Sequence, residues 1–505
     1  MHLIKRLLRY KTENKYKLKH MDGIIKEKYQ AVIGLEVHIQ LLTDSKIFAS
    51  DKTEYGALPN TNISPITLAC PGTLPKVNKK AFDYAIKLGL ACESDITELN
   101  FFSRKSYFYP DLPKGFQITQ EATPICRGGF VTIYPKEGEQ KHIPLIRMHL
   151  EEDTGKSLHG IMEDVTLLDY NRAGIPLIEL VTTPELTTGE EAYLFLSEIR
   201  KLVRYLEICD GNMEEASLRC DANVSIMEKG SMLFGTRVEI KNMNSMRNVQ
   251  LAIEHEIERQ IALLESGEPI ISETRSFESA SSETFSLRAK EMAADYRYFP
   301  EPDIPPVLVT EAWINDIKAT MPPLPNALLK KFMSLYGLSN YAASVLTEGK
   351  AFALFFDEIC QQTAYYTSAA NWLLGPVKGY LNELSVTLSE IPLTVNHIVL
   401  LAELVESGAV SFSIAATQIF PILLQQPKEL PLAIAKRLNL IQDSNESNLK
   451  TLITEVLAAY PDKVMAYKNG KSGILGMFMG EIMKKSQGRA NAQLTSKLLQ
   501  EALED

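Results

Sequence analysis

Ile33-Gly34-Leu35-Glu36-Val37-His38-Ile39 decides how the first half of this chain is read. Successive strand side chains point to opposite faces. An extended backbone here therefore sets Glu36 and His38 on one face, against Leu35, Val37 and Ile39 on the other. Three more stretches place acids in the same setting. His149-Leu150-Glu151-Glu152-Asp153 is the first. In Arg219-Cys220-Asp221-Ala222-Asn223-Val224, Asp221 and Asn223 oppose Ala222 and Val224. In Gly235-Thr236-Arg237-Val238-Glu239-Ile240-Lys241-Asn242, the polar face is Arg237, Glu239 and Lys241. Taken singly, each is also what a half-exposed antiparallel strand shows to water. What unites them is an acid recurring beside Asn or His, and clustered carboxylates repel one another unless a cation sits among them. If the four faces converge, they form a hard-oxygen site for Mg²⁺ and the phosphates of a nucleotide.

Around these stretches, from about residue 29 to 300, short β-rich runs alternate with turns such as Pro71-Gly72, Gly128-Gly129 and Lys229-Gly230. Apolar spacing predicts helices over about 187–207 and 245–266. The mixture predicts an α+β domain on a mainly antiparallel sheet. Pro300-Glu301-Pro302-Asp303-Ile304-Pro305-Pro306 is the clearest punctuation, so this domain is expected over 29–303, with Met321-Pro322-Pro323-Leu324-Pro325 following. Beyond it, runs such as Ile398-Val399-Leu400-Leu401-Ala402-Glu403-Leu404 predict an all-helical region in two parts, 304–435 and 436–505.

A chain of 505 residues, 45% hydrophobic and 23% charged, reads as an ordinary globular protein of several domains. It has no apolar run long enough to span a bilayer, so no membrane is expected. Six scattered cysteines without a CxxC pair exclude a disulfide framework and fit a reducing cytosol. The net charge of −10 excludes indiscriminate nucleic-acid binding and requires a local basic patch for any such partner. Residues 1–28 hold nine Lys/Arg against three Asp/Glu and read as a basic extension, or as sequence upstream of a start at Met21.

Gly155-Lys156-Ser157 is not a P-loop, because the required earlier glycine is Leu150. His255-Glu256 is not a zincin, since Arg259 stands where the second histidine belongs. Ser103-Arg104-Lys105-Ser106-Tyr107-Phe108-Tyr109 is either a structural aromatic cluster or a grip in which Lys105 and Tyr107 meet phosphate or a base. Residues 463–489 carry Lys463, Lys468, Lys471, Lys484, Lys485 and Arg489 against Glu481, with interspersed glycines. That is either a phosphate-backbone footprint or a solvated helical face.

Together these segments resemble the GatB family, the B component of the glutamyl/aspartyl-tRNA amidotransferases. The carrying stretches are 32–38 (VIGLEVH), 104–114 (RKSYFYPDLPK), 149–157 (HLEEDTGKS), 169–184 (DYNRAGIPLIELVTTP), 213–223 (MEEASLRCDAN), 235–245 (GTRVEIKNMNS) and 295–303 (DYRYFPEPD). The end of the chain, from Tyr467 to Asn491, resembles the family's YqeY-like tail, and the likeness spans residues 29–505.

The resemblance implies a kinase-like cradle at 29–303. There ATP phosphorylates the side-chain carboxylate of Glu on tRNA(Gln) or Asp on tRNA(Asn), and ammonia converts it to the amide. This is an ATP-dependent carbon–nitrogen ligase with glutamine as amide donor. By resemblance, Glu36, His38, Glu152, Asp221 and Glu239 are Mg²⁺ ligands, with Glu151, Glu214 and Glu215 standing behind them. Glu152, Glu239 and Lys241 are the expected catalytic residues. Lys105, Tyr107 and Asn242 are expected to bind ATP or the tRNA 3′ end, and the helical tail to bind tRNA. Some members carry a four-cysteine zinc knuckle; the aligned positions here are Ala49, Asp51, Ser64 and Thr67, so no zinc is expected. Ala492, Ser106 and Thr154 replace the family's common Pro, Asn and Ala. No nucleophile motif for releasing ammonia from glutamine is present. The resemblance assigns that step to a separate amidase partner (the A component), with a small third partner (the C component) completing a heterotrimer.

Overall fold

The computed structural model describes residues 28–135, 139–289, 296–442, 446–471, 473–486, 488 and 490–504. All but Lys28 of the expected basic extension, and Arg489 of the tail, lie outside the described residues. The chain divides into two compact units, Met1–Leu324 and Pro325–Asp505.

The first unit is built on a sheet whose longest strand pairing is that of β1 (Tyr29–Gln40). In chain order there follow α1 (Lys79–Ala91), β2 (Ser103–Ser106), β3 (Phe116–Thr119), β4 (Lys141–Glu152), β5 (Pro176–Thr182) and α2 (Gly189–Tyr205). Next come β6 (Leu218–Glu228), β7 (Val238–Lys241), α3 (Met246–Ser266), β8 (Glu273–Glu278), β9 (Glu283–Ala289) and β10 (Phe299–Pro300). The strands lie in the order β9-β8-β7-β6-β1-β5-β4-β3-β2-β10, and three short strands branching from this path complete a 13-stranded sheet among the described residues. The ladders along it are antiparallel with one exception. β7 and β8 run parallel, so the sheet is mixed, and the 21-residue α3 supplies the long crossover that a parallel return requires.

Caps explain where the two predicted helices begin. The Thr188 side chain accepts from the Glu191 backbone N–H ahead of α2, and Ser245 accepts from that of Asn248 ahead of α3. Gly267, at φ 76°, ends α3 in the left-handed conformation that glycine adopts without strain.

The apolar face of β1 decides where the core sits. Leu35, Val37 and Ile39 are buried in one cluster with Phe82 and Ile86 of α1, Phe195 and Ile199 of α2, and Val249 and Ile253 of α3. Three helices thus cover one face of the sheet, and the polar residues of β1 are left on the other.

The first unit runs past the expected boundary at 303. Ile304, Val309 and Ile317 join its core, Val307–Leu308 pairs with Leu99–Asn100, and Trp313 packs at 6.1 Å from Phe82 and donates its indole N–H to Asp83. The proline-rich punctuation marks a turn within this unit rather than its end.

The second unit is helical throughout its described residues. Residues 449–503 have their own core, in which Leu449, Ile453 and Val456 meet Phe478, Ile482 and Leu499. Among the described residues no helix is long and apolar enough to cross a membrane.

Candidate active site

Strand register brings the polar faces together. Across β6, β1, β5 and β4 one row reads Arg219, His38, Glu179, His149, and the neighbouring row reads Asp221, Glu36, Val181, Arg147. Directly opposed side chains on one face of an antiparallel pair sit within about 5 Å of each other, so the rows form one surface. It is the floor of an open cleft of about 600 Å³, walled by Lys105, Tyr107, Glu151, Asp153, Lys241 and Asn242.

Two overlapping triads share His38. Ligand atoms of Glu36, His38 and Asp221 lie within 4.8 Å of one another, and so do those of His38, Glu151 and Glu179. The His38 Nε2 stands 3.7 Å from Glu36, 3.8 Å from Glu151 and 3.5 Å from Glu179. This crowding sets the proton affinities. Burial, and then the charge of Glu179, pushes the Glu36 carboxyl up to about 7. Burial opposes charge on His38, but its bond to Glu179 and the field of Glu151 outweigh this and lift it to about 9. Burial likewise works against Glu179, yet the His149 and His38 imidazoles hold it well below the usual carboxylate range. An oxygen-rich set with one imidazole, in which acids must borrow protons to coexist, fits a hard divalent cation.

Glu36, His38 and Asp221 of the sequence-derived ligands meet in the cleft. Glu239 lies one strand further out, on β7. It accepts from the Thr274 hydroxyl at 2.8 Å and is 3.3 Å from the Lys241 ammonium, which also pairs with Asp221 at 2.5 Å. Asn242 lines the cleft with a left-handed backbone, φ 63°, its amide donating to Ser276. Glu214 is on the rim, and Glu215 is exposed outside it.

Glu152 is a correction. It follows Glu151 on β4, so it points to the opposite face with Met148 and Leu150. There, 2% exposed, it accepts from Lys114 at 2.6 Å and from the Ile118 backbone N–H at 2.8 Å, and it lines a separate cavity of about 260 Å³ with Lys46 and Thr67. The structure thus brings Glu151, expected only behind the ligands, to His38 in its place.

Sequence reasoning gave no role to Glu179, His149 or Arg219. A signal for Glu179 was present: it is the one acid within Pro176-Leu177-Ile178-Glu179-Leu180-Val181, and it is 7% exposed. Arg219 extends over the floor to Asp153, its Nη2 3.1 Å from the carboxylate. At the positions aligned with a zinc knuckle, the Ser64 and Thr67 hydroxyls both donate to the Asp51 carboxylate, the former at 2.9 Å. In the other unit, Lys468, Lys471, Lys484 and Lys485 are exposed, and Lys485 pairs with Glu455 at 2.5 Å.

Comparison with known proteins bears on both units. A family model described as the GatB/GatE catalytic domain matches residues 31–315, and one described as the GatB domain, of the Yqey type, matches 354–503. The B subunit of the aspartyl/glutamyl-tRNA(Asn/Gln) amidotransferase of Thermoanaerobacter pseudethanolicus is 44% identical over 476 residues, covering 94% of this chain and 99% of its own. Proteins of the same name from Synechococcus sp. (strain JA-3-3Ab) and Trichodesmium erythraeum are each 44% identical, over 484 and 492 residues; each alignment covers 95% of this chain, and 98% and 99% of theirs. The catalytic-domain match takes in every strand of the acidic floor, and the identity continues through the helical tail. The chain belongs to the family of aspartyl/glutamyl-tRNA(Asn/Gln) amidotransferase B subunits.

Proposed function

We propose that this chain is the amidating component of a tRNA-dependent amidotransferase, a ligase of protein biosynthesis acting on Glu-tRNA(Gln), Asp-tRNA(Asn) or both. The observation that carries this reading is the pair of triads sharing His38 on the floor of an open cleft. A carboxylate has no viable leaving group at neutral pH, so it must first be activated. A side-chain carboxylate oxygen attacks the γ-phosphorus of ATP and ADP departs. Ammonia then attacks the acyl carbon, phosphate leaves, and the nitrogen loses a proton to give the amide.

Glu36, His38 and Asp221, with Glu151 and Glu179 on the far side of His38, are the residues that would hold Mg²⁺, which neutralises charge gathering between phosphate and carboxylate. Lys241, steadied by Asp221 and Glu239, and Lys105 on the wall offer cations to phosphate oxygens. Asn242 contributes an amide to nucleotide or tRNA end, and Tyr107 a ring. The sheet acts as the kinase-like cradle.

Ammonia comes from glutamine through the amidase partner, and the small third partner completes the heterotrimer. The helical tail grips tRNA through Lys468, Lys471 and Lys484. The six cysteines, all free, support a reducing, cytoplasmic setting.

ATP hydrolysis by the chain assembled with its amidase partner tests the reading. It should require both Glu-tRNA(Gln) or Asp-tRNA(Asn) and Mg²⁺. Turnover indifferent to tRNA would instead assign a small-molecule ligase, and tRNA binding without turnover an adaptor.

A further inference from the structure

At the end of the sheet remote from the cleft, four apolar side chains stand in water. Met232, Leu233, Phe234 and Ile271 are 95%, 81%, 68% and 63% exposed. Strand register gathers them. β7 and β8 run parallel with Glu239 opposite Thr274, so the residues ahead of both strands lie at one end. Met232 to Phe234 belong to the turn between β6 and β7, and Ile271 to the approach to β8. At the same end Tyr29 of β1 is opposite Glu228 of β6, about 30 Å along the strand from His38.

The turn is held with these side chains outward. The Ser231 backbone N–H donates to the Glu228 carbonyl at 3.0 Å, and the Leu233 N–H to the Ser231 hydroxyl at 3.1 Å. Gly235 then passes so close to β6 that a Cβ there would collide with the Ile226 carbonyl oxygen. Single apolar residues on a surface are ordinary. Three in succession on a fixed turn, with a fourth ahead of the adjoining strand, form a patch that marks an interface.

We propose that this patch is the docking surface for the chain's own N-terminal segment, residues 1–27, with Ile24 and Ile25 as the side chains that cover it. The proposal is independent of the amidotransferase reading. The segment joins the sheet at this very end, where the Lys28 carbonyl accepts from the Lys229 N–H at 2.9 Å. The Lys28 ammonium and the Tyr29 hydroxyl both reach the Glu265 carboxylate, at 2.9 and 2.6 Å, and pin the point of attachment. From there four residues lead back to Ile24, a reach of at most about 14 Å. The turn's returning arm is two strand spacings from β1, about 10 Å. Tethering also presents these isoleucines to the patch at an effective concentration of about millimolar, which a free partner lacks. Exposed Lys229 and Arg237 accompany exposed Glu228 and Glu268 at this end, so apolar contact rather than net charge selects the occupant.

The test uses the full chain. Ile24→Ser with Ile25→Ser should raise the binding of an apolar fluorescent dye several-fold, and adding Leu233→Ser and Phe234→Ser should abolish that rise. With Cys70→Ser removing the one exposed thiol, a short flexible bismaleimide should join Ile25→Cys to Leu233→Cys within one chain. It should not join Ile25→Cys to Tyr55→Cys, which lies beyond the far end of β1. An unchanged dye signal, a rise that survives the turn substitutions, or no cross-link within one chain overturns the proposal. A cross-link joining two chains reassigns the patch to a second copy and overturns it too. So does wild-type dye binding that is already high and falls only in the full assembly, which gives the patch to a partner subunit.

Discussion

Glu151 and Glu152 share a strand and a charge, but their carboxylates lie on opposite faces of the sheet. Glu151 is 3.8 Å from His38 over the cleft, whereas Glu152 is satisfied by Lys114 and a backbone amide on the other side. Glu151→Gln is therefore expected to weaken Mg²⁺ binding ten-fold or more, and Glu152→Gln to change it less than two-fold, read by Mg²⁺ titration of nucleotide binding. Equal losses would return Glu152 to the metal set. Lys46, 1% exposed, gives a second expectation at this scale. Burial lowers its ammonium from 10.5 to about 8. The unfolded lysine holds its proton up to pH 10.5 while the folded one releases it near 8, so below pH 8 the fold carries the full penalty, which fades as pH rises toward 10.5. Lys46→Met should raise unfolding free energy by on the order of 3 kcal/mol at pH 7, and the gain should vanish above pH 10.5. A pH-independent gain in denaturant titrations would refute this origin.

At the scale of elements, α3 has two jobs. It returns the chain for the parallel pairing of β7 and β8, and it anchors β8 and β9 through a buried ionic knot. Glu256, fully buried, accepts from Arg259 at 2.7 and 2.9 Å, from Gln260 at 2.8 Å and from the Thr284 hydroxyl at 3.2 Å, with Arg275 3.5 Å away. Removing one partner of such a network leaves cations without their acceptor. Glu256→Ala is expected to lower stability by about 3–5 kcal/mol in urea unfolding. A loss below about 1 kcal/mol would show the knot to be no better than a surface pair. The helix itself was legible from apolar spacing. Its buried acid was not, because Glu256 sits among Glu254, Glu258 and Arg259 and matches the charged pattern of any exposed helix turn.

For the molecule as a whole, the charge distribution separates the two units' tasks. The first gathers acids around His38 in one cleft, while the second exposes lysines on an otherwise acidic chain. Phosphate contacts release counterions, so each one lost should reduce the salt slope of tRNA binding by about 0.7–0.9. Lys468→Ala and Lys484→Ala should each do so. Lys485→Ala should do less, because its ammonium is engaged by Glu455 at 2.5 Å. Affinity measured between low and moderate salt decides this; three equal effects would make the tail a diffuse cation surface.

The α+β character, the two predicted helices, the helical second half and the polar strand faces that carry Glu36, His38 and Asp221 were all readable from the chain. These depend on local propensity and on the two-residue period of a strand, which sequence displays directly. The remaining features depended on register and packing. Which of two adjacent acids faces the cleft, that Glu179 stands between two histidines, that β7 and β8 run parallel, and that residues 304–324 complete the first core are decided by strands and helices far apart in sequence. A shift of one residue in pairing would have reversed each face, so the site is set by long-range hydrogen-bond register and by the apolar burial that fixes it.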